Sequence, residues 1–409
     1  MGKESNMKPR YSGALGIGLY LFLIQFLFAV CWLVYVVYLG DLLDQVGIGK
    51  ENLPWIILVD QVVFVVMDVM MGFNADRVAR MVGRLGPWIV GINAVSCMAF
   101  AVIPMFAGFS SPALFLLLVV VWIASASVLR APPLVLLSRR ASKPQVPWLA
   151  ALTLFGLALG AALSPYLGLW LKQQNPLLPF VVSAAALWVT TLGLVWAERK
   201  VPTVTEALAN SQRPKVSSSS VKLIFAALFL GLGFQVYAFF NTKPQFLQYV
   251  SEQELAIYLP LFWVGFNMLV FPAAALVSRF GAMNTLTIAA ITSILGGIIT
   301  AASASLPVLI AGQIITGAGW GLVFTAGISG ALRLGSTGRE GLLLGLWFSM
   351  LSLAAVVRVG MLLLGVKTLP GFDGLIGVLP VVSWIVAVLF LVSIGMSSQR
   401  EQARVVADQ

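Results

Sequence analysis

LPWIILVDQVVFVVMDVMMGFNADRVAR, residues 53–80, carries the features on which the fold turns. Its apolar part, near 55–75, has the length a helix needs to cross the hydrocarbon core of a bilayer, about 20 residues. Two carboxylates, Asp60 and Asp68, interrupt that run, and each is costly in lipid unless it meets a partner or a cavity. The run then ends in Gly72-Phe-Asn-Ala-Asp76-Arg77-Val-Ala-Arg80, a compact charged segment.

The pattern repeats along the chain. Twelve apolar runs fall near 15–39, 55–75, 86–107, 113–137, 147–171, 178–197, 221–240, 255–278, 284–304, 307–331, 341–366 and 374–396. Of 409 residues 60% are hydrophobic and only 10% charged, against roughly 25% charged in soluble domains. A water-soluble globular protein is excluded, and the fold class is an all-α membrane protein with twelve transmembrane helices. The net charge of +10 does not mark a nucleic-acid binder, because the basic residues are divided among apolar runs rather than gathered on a polar face. With no His, imidazole serves neither as base nor as metal ligand. Cys31 and Cys97 sit inside apolar runs and read as small core residues, so no metal site is expected. Met67, Met70 and Met71, beside Asp68, likewise read as core packing. Without a nucleotide-binding loop or a triad, neither enzymatic activity nor a cofactor is expected. The first run is too long for a signal-peptide core, so it is expected to be retained.

The longest polar stretch, 198–220, is rich in Ser, Lys and Arg and reads as a solvated linker. It divides the chain into an N-terminal six-helix bundle over 1–197 and a C-terminal bundle with a short tail over 221–409. Two such halves are a recurrent transporter architecture. If both termini are cytoplasmic, 19 of the 25 Lys and Arg fall on the inside. Only Lys50, Lys172, Lys243 and Lys367 lie outside, and Arg130 and Arg358 fall within spans. That asymmetry sets the orientation of a multi-pass protein of the inner or plasma membrane. Trp55 and Tyr38, near span ends, are expected to anchor the interface.

The segment Gly72–Arg80 resembles the signature between the second and third spans of the major facilitator superfamily, with Ala79 in place of a second Gly. About 202 residues later, Ala274-Ala-Leu-Val-Ser278-Arg279-Phe-Gly281 repeats it in degraded form. The resemblance implies two bundles working by alternating access, with Gly72, Asp76, Arg77 and Arg80 at a cytoplasmic gate. In the fifth span, Gly156-Leu-Ala-Leu-Gly160-Ala-Ala-Leu-Ser164-Pro165-Tyr-Leu-Gly168 resembles the motif of superfamily antiporters, with Ser164 replacing a Gly. Generic small-residue packing would also explain it.

Four ionisable residues remain inside spans. Asp68 and Arg130 lie at matching depths, Asp68 about 12 Å from the inner end at 1.5 Å per residue, so an Asp68–Arg130 pair is expected, either structural or proton-coupling. Asp60 and Arg358 lie toward the outer ends of the second and eleventh spans. The resemblance places these spans opposite one another, so the two residues are expected either to close the outer side together or to act apart, Arg358 attracting a substrate anion. Gln25, Gln235, Tyr237, Asn241, Asn267 and Gln313 are candidate cavity residues, although most polar residues in spans simply bond between helices.

Together these readings imply a monomeric, proton-coupled exporter of a small amphipathic compound, its partners being solute, protons and membrane lipids. Uptake of a polar or anionic metabolite is the alternative. A non-transporting membrane scaffold on the same fold is the reading from another class.

Overall fold

The structure is a computed structural model that describes residues 8–108, 111–200, 217–336, 338–368 and 370–407. Among these residues, twelve helices are long and apolar enough to cross a membrane. They are α1 (Leu15–Gln45), α2 (Lys50–Met81), α3 (Gly86–Ala107), α4 (Pro112–Arg140), α5 (Val146–Leu171) and α6 (Leu177–Lys200). The second half supplies α7 (Ser218–Phe246), α8 (Leu255–Phe280), α9 (Ala282–Ala301), α10 (Leu306–Leu334), α11 (Glu340–Leu363) and α12 (Gly374–Met396).

The chain divides into two compact units, Met1–Ser211 and Gln212–Gln409. Within the first, α1 packs on α5 and α6, α3 on α4 and α6, and α2 on α4. Within the second, α7 packs on α11 and α12, α9 on α10 and α12, and α8 on α10. Every pairing of the first unit recurs in the second, shifted by six helices. The repeat that survives only as a degraded motif in sequence is therefore intact in packing. Of the linker read from the sequence, residues 201–216 lie outside the described residues; its two ends, 198–200 and 218–220, are helical.

Several helices outrun their apolar cores. The α1 helix continues past 39 to Gln45, and α2 past 75 to Met81. Hydropathy marks only the part of a helix that lies in hydrocarbon, whereas the helix itself runs on until a breaker stops it. Here Gly47 and Gly83, with φ of 78° and 71°, take the left-handed conformation that glycine tolerates best. Tyr38, expected at the interface, is buried instead, because its hydroxyl donates to the carbonyl of Leu171 on α5. Trp55 is exposed.

Small residues set the closest approach in the first unit. A methyl group added at Gly156 would meet the backbone carbonyl of Phe22, and one at Gly160 the methyl of Ala29. The fifth-span motif thus seats α5 directly on α1.

Prolines inside spans raise a sharper problem. A proline at position i cannot donate to the carbonyl at i−4, and in lipid no water stands in. At three of these prolines a side chain supplies the missing donor. Pro133 of α4 frees the carbonyl of Leu129, and Gln25 of α1 donates its Nε2 to it at 2.5 Å. Pro380 of α12 frees the carbonyl of Ile376, and Asn241 of α7 donates its Nδ2 at 3.0 Å. Pro165 of α5 frees the carbonyl of Ala161, and the Ser164 hydroxyl donates at 2.8 Å. Gln25 and Asn241, read from the sequence as candidate cavity residues, thus spend their amide N–H groups on broken backbone. Ser164 does locally what the Gly of the motif could not.

Removing one donor should cost what an unsatisfied buried carbonyl costs, about 1–3 kcal/mol. Gln25→Leu is therefore expected to lower thermal stability in detergent. Adding Pro133→Ala to it should recover most of the loss by restoring a backbone N–H, and a double variant no better than Gln25→Leu would refute the assignment.

Candidate functional site

The break in α4 positions its charge. Ahead of Pro132 and Pro133 the helix tightens into a 3-10 turn, Ser127–Leu129, and Arg130 follows it at φ −90°, ψ −76°. From that kink the Arg130 guanidinium reaches Asp68 on α2, with Nη1 2.7 Å from Oδ2. It also lies 4.8 Å over the ring of Phe64, one turn before Asp68. Asp68 is fully buried, and the Arg130 side chain is 19% exposed. A buried pair of this kind is strongly destabilised when one partner is lost, because the other is left as an uncompensated charge.

Asp60, two turns earlier on α2, has a different environment. It too is fully buried, but its Oδ2 accepts only from the Tyr35 hydroxyl of α1, at 2.8 Å, and Oδ1 has no hydrogen-bond partner. Tyr35 stands in an aromatic cluster, 4.5 Å from the ring of Trp122 on α4 and 5.6 Å from Trp32 on α1. Trp32 in turn packs 5.7 Å from Phe64. Tilted ring contacts of Trp32 therefore link the Tyr35 that serves Asp60 to the Phe64 under Arg130.

In the second unit the intramembrane charge is positive. Arg358 of α11 donates its Nε to Gln235 Oε1 of α7 at 3.0 Å, and its guanidinium lies 4.2 Å over the Phe239 ring. Within the second unit no described acidic side chain pairs with it, and its terminal nitrogens make no hydrogen bond there. Phe239 contacts Phe234, which stacks on Trp320 of α10 with centroids 4.6 Å apart. Trp263 of α8 completes the apolar surround at 6.5 Å from Phe234. The result is a guanidinium fork on an aromatic floor.

Other sequence candidates are less available. Gln313 is fully buried and donates to the Thr242 hydroxyl at 3.4 Å. Asn267 donates to its own helix, at the carbonyl of Trp263. Tyr237 is buried against Trp384 and Phe262 and begins a π-helical turn, Tyr237–Asn241. Pro244, just beyond, is a sufficient cause of that irregularity. In the α2 motif Gly72, Asp76 and Ala79 are buried, Arg77 is exposed and Arg80 half-buried. In the fifth-span motif Pro165 is half-buried and Gly168 buried.

One residue at the helix ends was hidden from the sequence reading. Glu198, assigned there to the linker, forms the last turn of α6 and is buried. Its carboxylate accepts from the backbone N–H of Leu85 at 3.1 Å and of Gly86 at 2.8 Å, at the N-terminus of α3. Arg140, ending α4, lies 3.1 Å from it. An anion at a helix N-terminus is favoured by the exposed N–H groups and the helix dipole, so this carboxylate ties three helix ends together. The available signal was a lone Glu beside Arg199 and Lys200, with a basic pair at 139–140 across the same side. Exposed pairs, such as Lys243 with Glu252 at 2.8 Å, contribute little by comparison; Lys243 nonetheless holds the loop carboxyl of Glu252 below its ordinary range.

The Asp68–Arg130 geometry predicts strong coupling. Asp68→Asn and Arg130→Gln should each destabilise the protein by about 3–5 kcal/mol, and the double variant should recover much of it. Additive losses in a thermal-unfolding cycle would show that the two side chains do not depend on each other.

Comparison with known proteins follows the same architecture. Among curated proteins, none matches the chain in sequence. Solved structures match in fold. The human organic anion transporter MFSD10 (TETRAN) superposes with a TM-score of 0.70 at 16% identity, over 95% of this chain and 100% of that one. The proton:xylose symporter XylE gives 0.72 at 11% identity, over 94% and 96%. The transporter FucP in its outward conformation gives 0.67 at 16% identity, over 92% and 98%. The family profile of the Major Facilitator Superfamily matches residues 21–357. With twelve spanning helices in two six-helix repeats and that match over most of its length, the chain is a multi-pass membrane transporter belonging to the Major Facilitator Superfamily.

Proposed function

We propose that this transporter moves a small amphipathic organic anion by proton-coupled secondary transport. The observation that carries the reading is Arg358. A guanidinium within a span is costly unless something neutralises it, and here a neutral Gln and an aromatic ring hold it with its fork open. A carboxylate or sulfonate meets such a fork in two parallel charge-assisted hydrogen bonds. Phe234, Phe239, Trp263 and Trp320 offer an apolar part of the solute its complement. The organic anions named for MFSD10 and the proton coupling named for XylE agree in kind with this reading.

The two carboxylates inside α2, Asp60 and Asp68, supply the groups through which protons can couple. The close seating of α5 on α1 through Gly156 and Gly160 resembles the fifth-span motif of superfamily antiporters, apart from Ser164, and supports the solute leaving in exchange for entering protons. The asymmetry of the basic residues supports both termini on the cytoplasmic side of the inner or plasma membrane, with the chain acting as a monomer.

The test uses naphthalene sulfonate and its uncharged sulfonamide. Arg358→Gln should weaken sulfonate binding, read by tryptophan fluorescence, about tenfold or more, since a charged hydrogen bond contributes about 1.5–3 kcal/mol. Sulfonamide binding should stay unchanged. In proteoliposomes, an imposed pH gradient should drive the sulfonate against its own gradient toward the acidic side. Equal loss of both ligands, no sulfonate binding by the unaltered protein, or flux toward the alkaline side would overturn the anion-export reading.

A further inference from the structure

Resting on the proton coupling just proposed, the question is which carboxylate carries the proton. Asp68 has its counter-ion in Arg130 at 2.7 Å. Protonating Asp68 would leave that guanidinium facing a neutral acid in a place where a lone charge is strongly destabilising. Arg130 is thus a reason for Asp68 to stay an anion through the cycle.

Asp60 has no such constraint. Its carboxyl is fully buried, one oxygen accepts from a neutral phenol, and the other has no partner. The groups facing it are few. From α1 there is Tyr35. Cys31, one turn earlier on that helix, is turned toward Ser183 of α6. From α4, the segment Pro112–Ala126 contains no titratable residue. On α2 itself the next charge is Asp68, about 12 Å along the axis and already paired. An ionised carboxylate here would be desolvated with one neutral hydrogen bond in compensation, a cost of several kcal/mol. A protonated one is merely a small polar group with one satisfied oxygen.

We infer that Asp60 is the proton-carrying carboxylate of this transporter, and that Tyr35 positions it. In the conformation described, the proton sits on Oδ1 while Oδ2 accepts from the Tyr35 hydroxyl. When the α1–α2 contact opens to water, the carboxyl releases that proton to solvent and becomes a hydrated anion. It takes up a proton from water on the opposite side before the contact can close again. Protonation and helix closure are then one event, because the aromatic cluster of Trp32, Tyr35, Phe64 and Trp122 excludes the bare charge. Tyr35 is a positioning residue in this scheme, and Asp68 with Arg130 is its fixed support.

The experiment uses the full chain. In proteoliposomes, Asp60→Asn, which imitates the protonated acid, should abolish pH-gradient-driven flux of naphthalene sulfonate. Exchange of the same probe at equal pH should persist and lose its pH dependence. If the unaltered protein is driven by the gradient and Asp60→Asn is driven equally, the assignment fails while proton coupling stands. If the unaltered protein is itself indifferent to the gradient, proton coupling fails. A second readout does not depend on transport. The protonated-carboxyl band in acid-minus-alkaline infrared difference spectra should vanish in Asp60→Asn, and should move to higher frequency in Tyr35→Phe as the carbonyl loses its donor. A band that is unaltered in both variants would overturn the assignment.

Discussion

A backbone carbonyl released inside hydrocarbon gains from a side-chain donor, and at three prolines this requirement fixes how helices meet or turn. Water is absent there, and an unsatisfied buried carbonyl costs about 1–3 kcal/mol. Prolines in α4, α5 and α12 release such carbonyls at Leu129, Ala161 and Ile376, and Gln25, Ser164 and Asn241 answer them. Two of the three answers come from α1 and α7, the first helices of their units, which also seat the next-to-last and last helices of the same units. The same helix pair therefore serves both as scaffold and as donor. The break that Gln25 stabilises in α4 is also what turns Arg130 toward Asp68. Backbone satisfaction and charge placement are thus one construction.

The same obligation explains the charges. Each charged side chain inside a unit either has a partner of opposite sign, as Asp68 and Glu198 do, or lacks one. The paired ones hold helices at fixed distances, Asp68 between α2 and α4, Glu198 between the ends of α3, α4 and α6. Among the described residues, Asp60 in the first unit and Arg358 in the second have no oppositely charged partner within their own unit, and each is held by a neutral side chain, Tyr35 and Gln235. They are of opposite sign, and the proposed anion site and the inferred proton carrier rest on them.

Much of this was legible in the sequence, for physical reasons. Hydropathy reports the span because lipid imposes a length, so all twelve helices could be read off their apolar runs. Depth matching could bring Asp68 and Arg130 together because a helix converts residue number into distance. The roles of Gln25 and Asn241 were not legible as read, because a polar residue in a span looks the same whether it binds solute or backbone; only the prolines at 133 and 380, on other helices, distinguish the two. Glu198 was missed because a carboxylate among Arg, Lys and Ser reads as solvated, and its burial arises from the N-terminus of α3 packing over it. Tyr38 misled for the converse reason: an aromatic at a span end resembles an interface anchor until a neighbouring helix end, here Leu171, arrives to accept its hydroxyl.

Asp60 and Asp68 share a helix, a residue type and complete burial, and differ only in what α1 and α4 bring to them. The arginine that α4 brings to Asp68 favours the anion. The phenol that α1 brings to Asp60 is neutral, satisfies one oxygen, and leaves the charge of the ionised form without compensation. On the inference drawn above, two carboxylates eight positions apart are thereby divided into a permanent charge and a titrating one. In the proposed transport cycle the bundle would thereby keep one electrostatic element that does not change. The titrating group then sits at a helix contact whose closure requires it to be neutral.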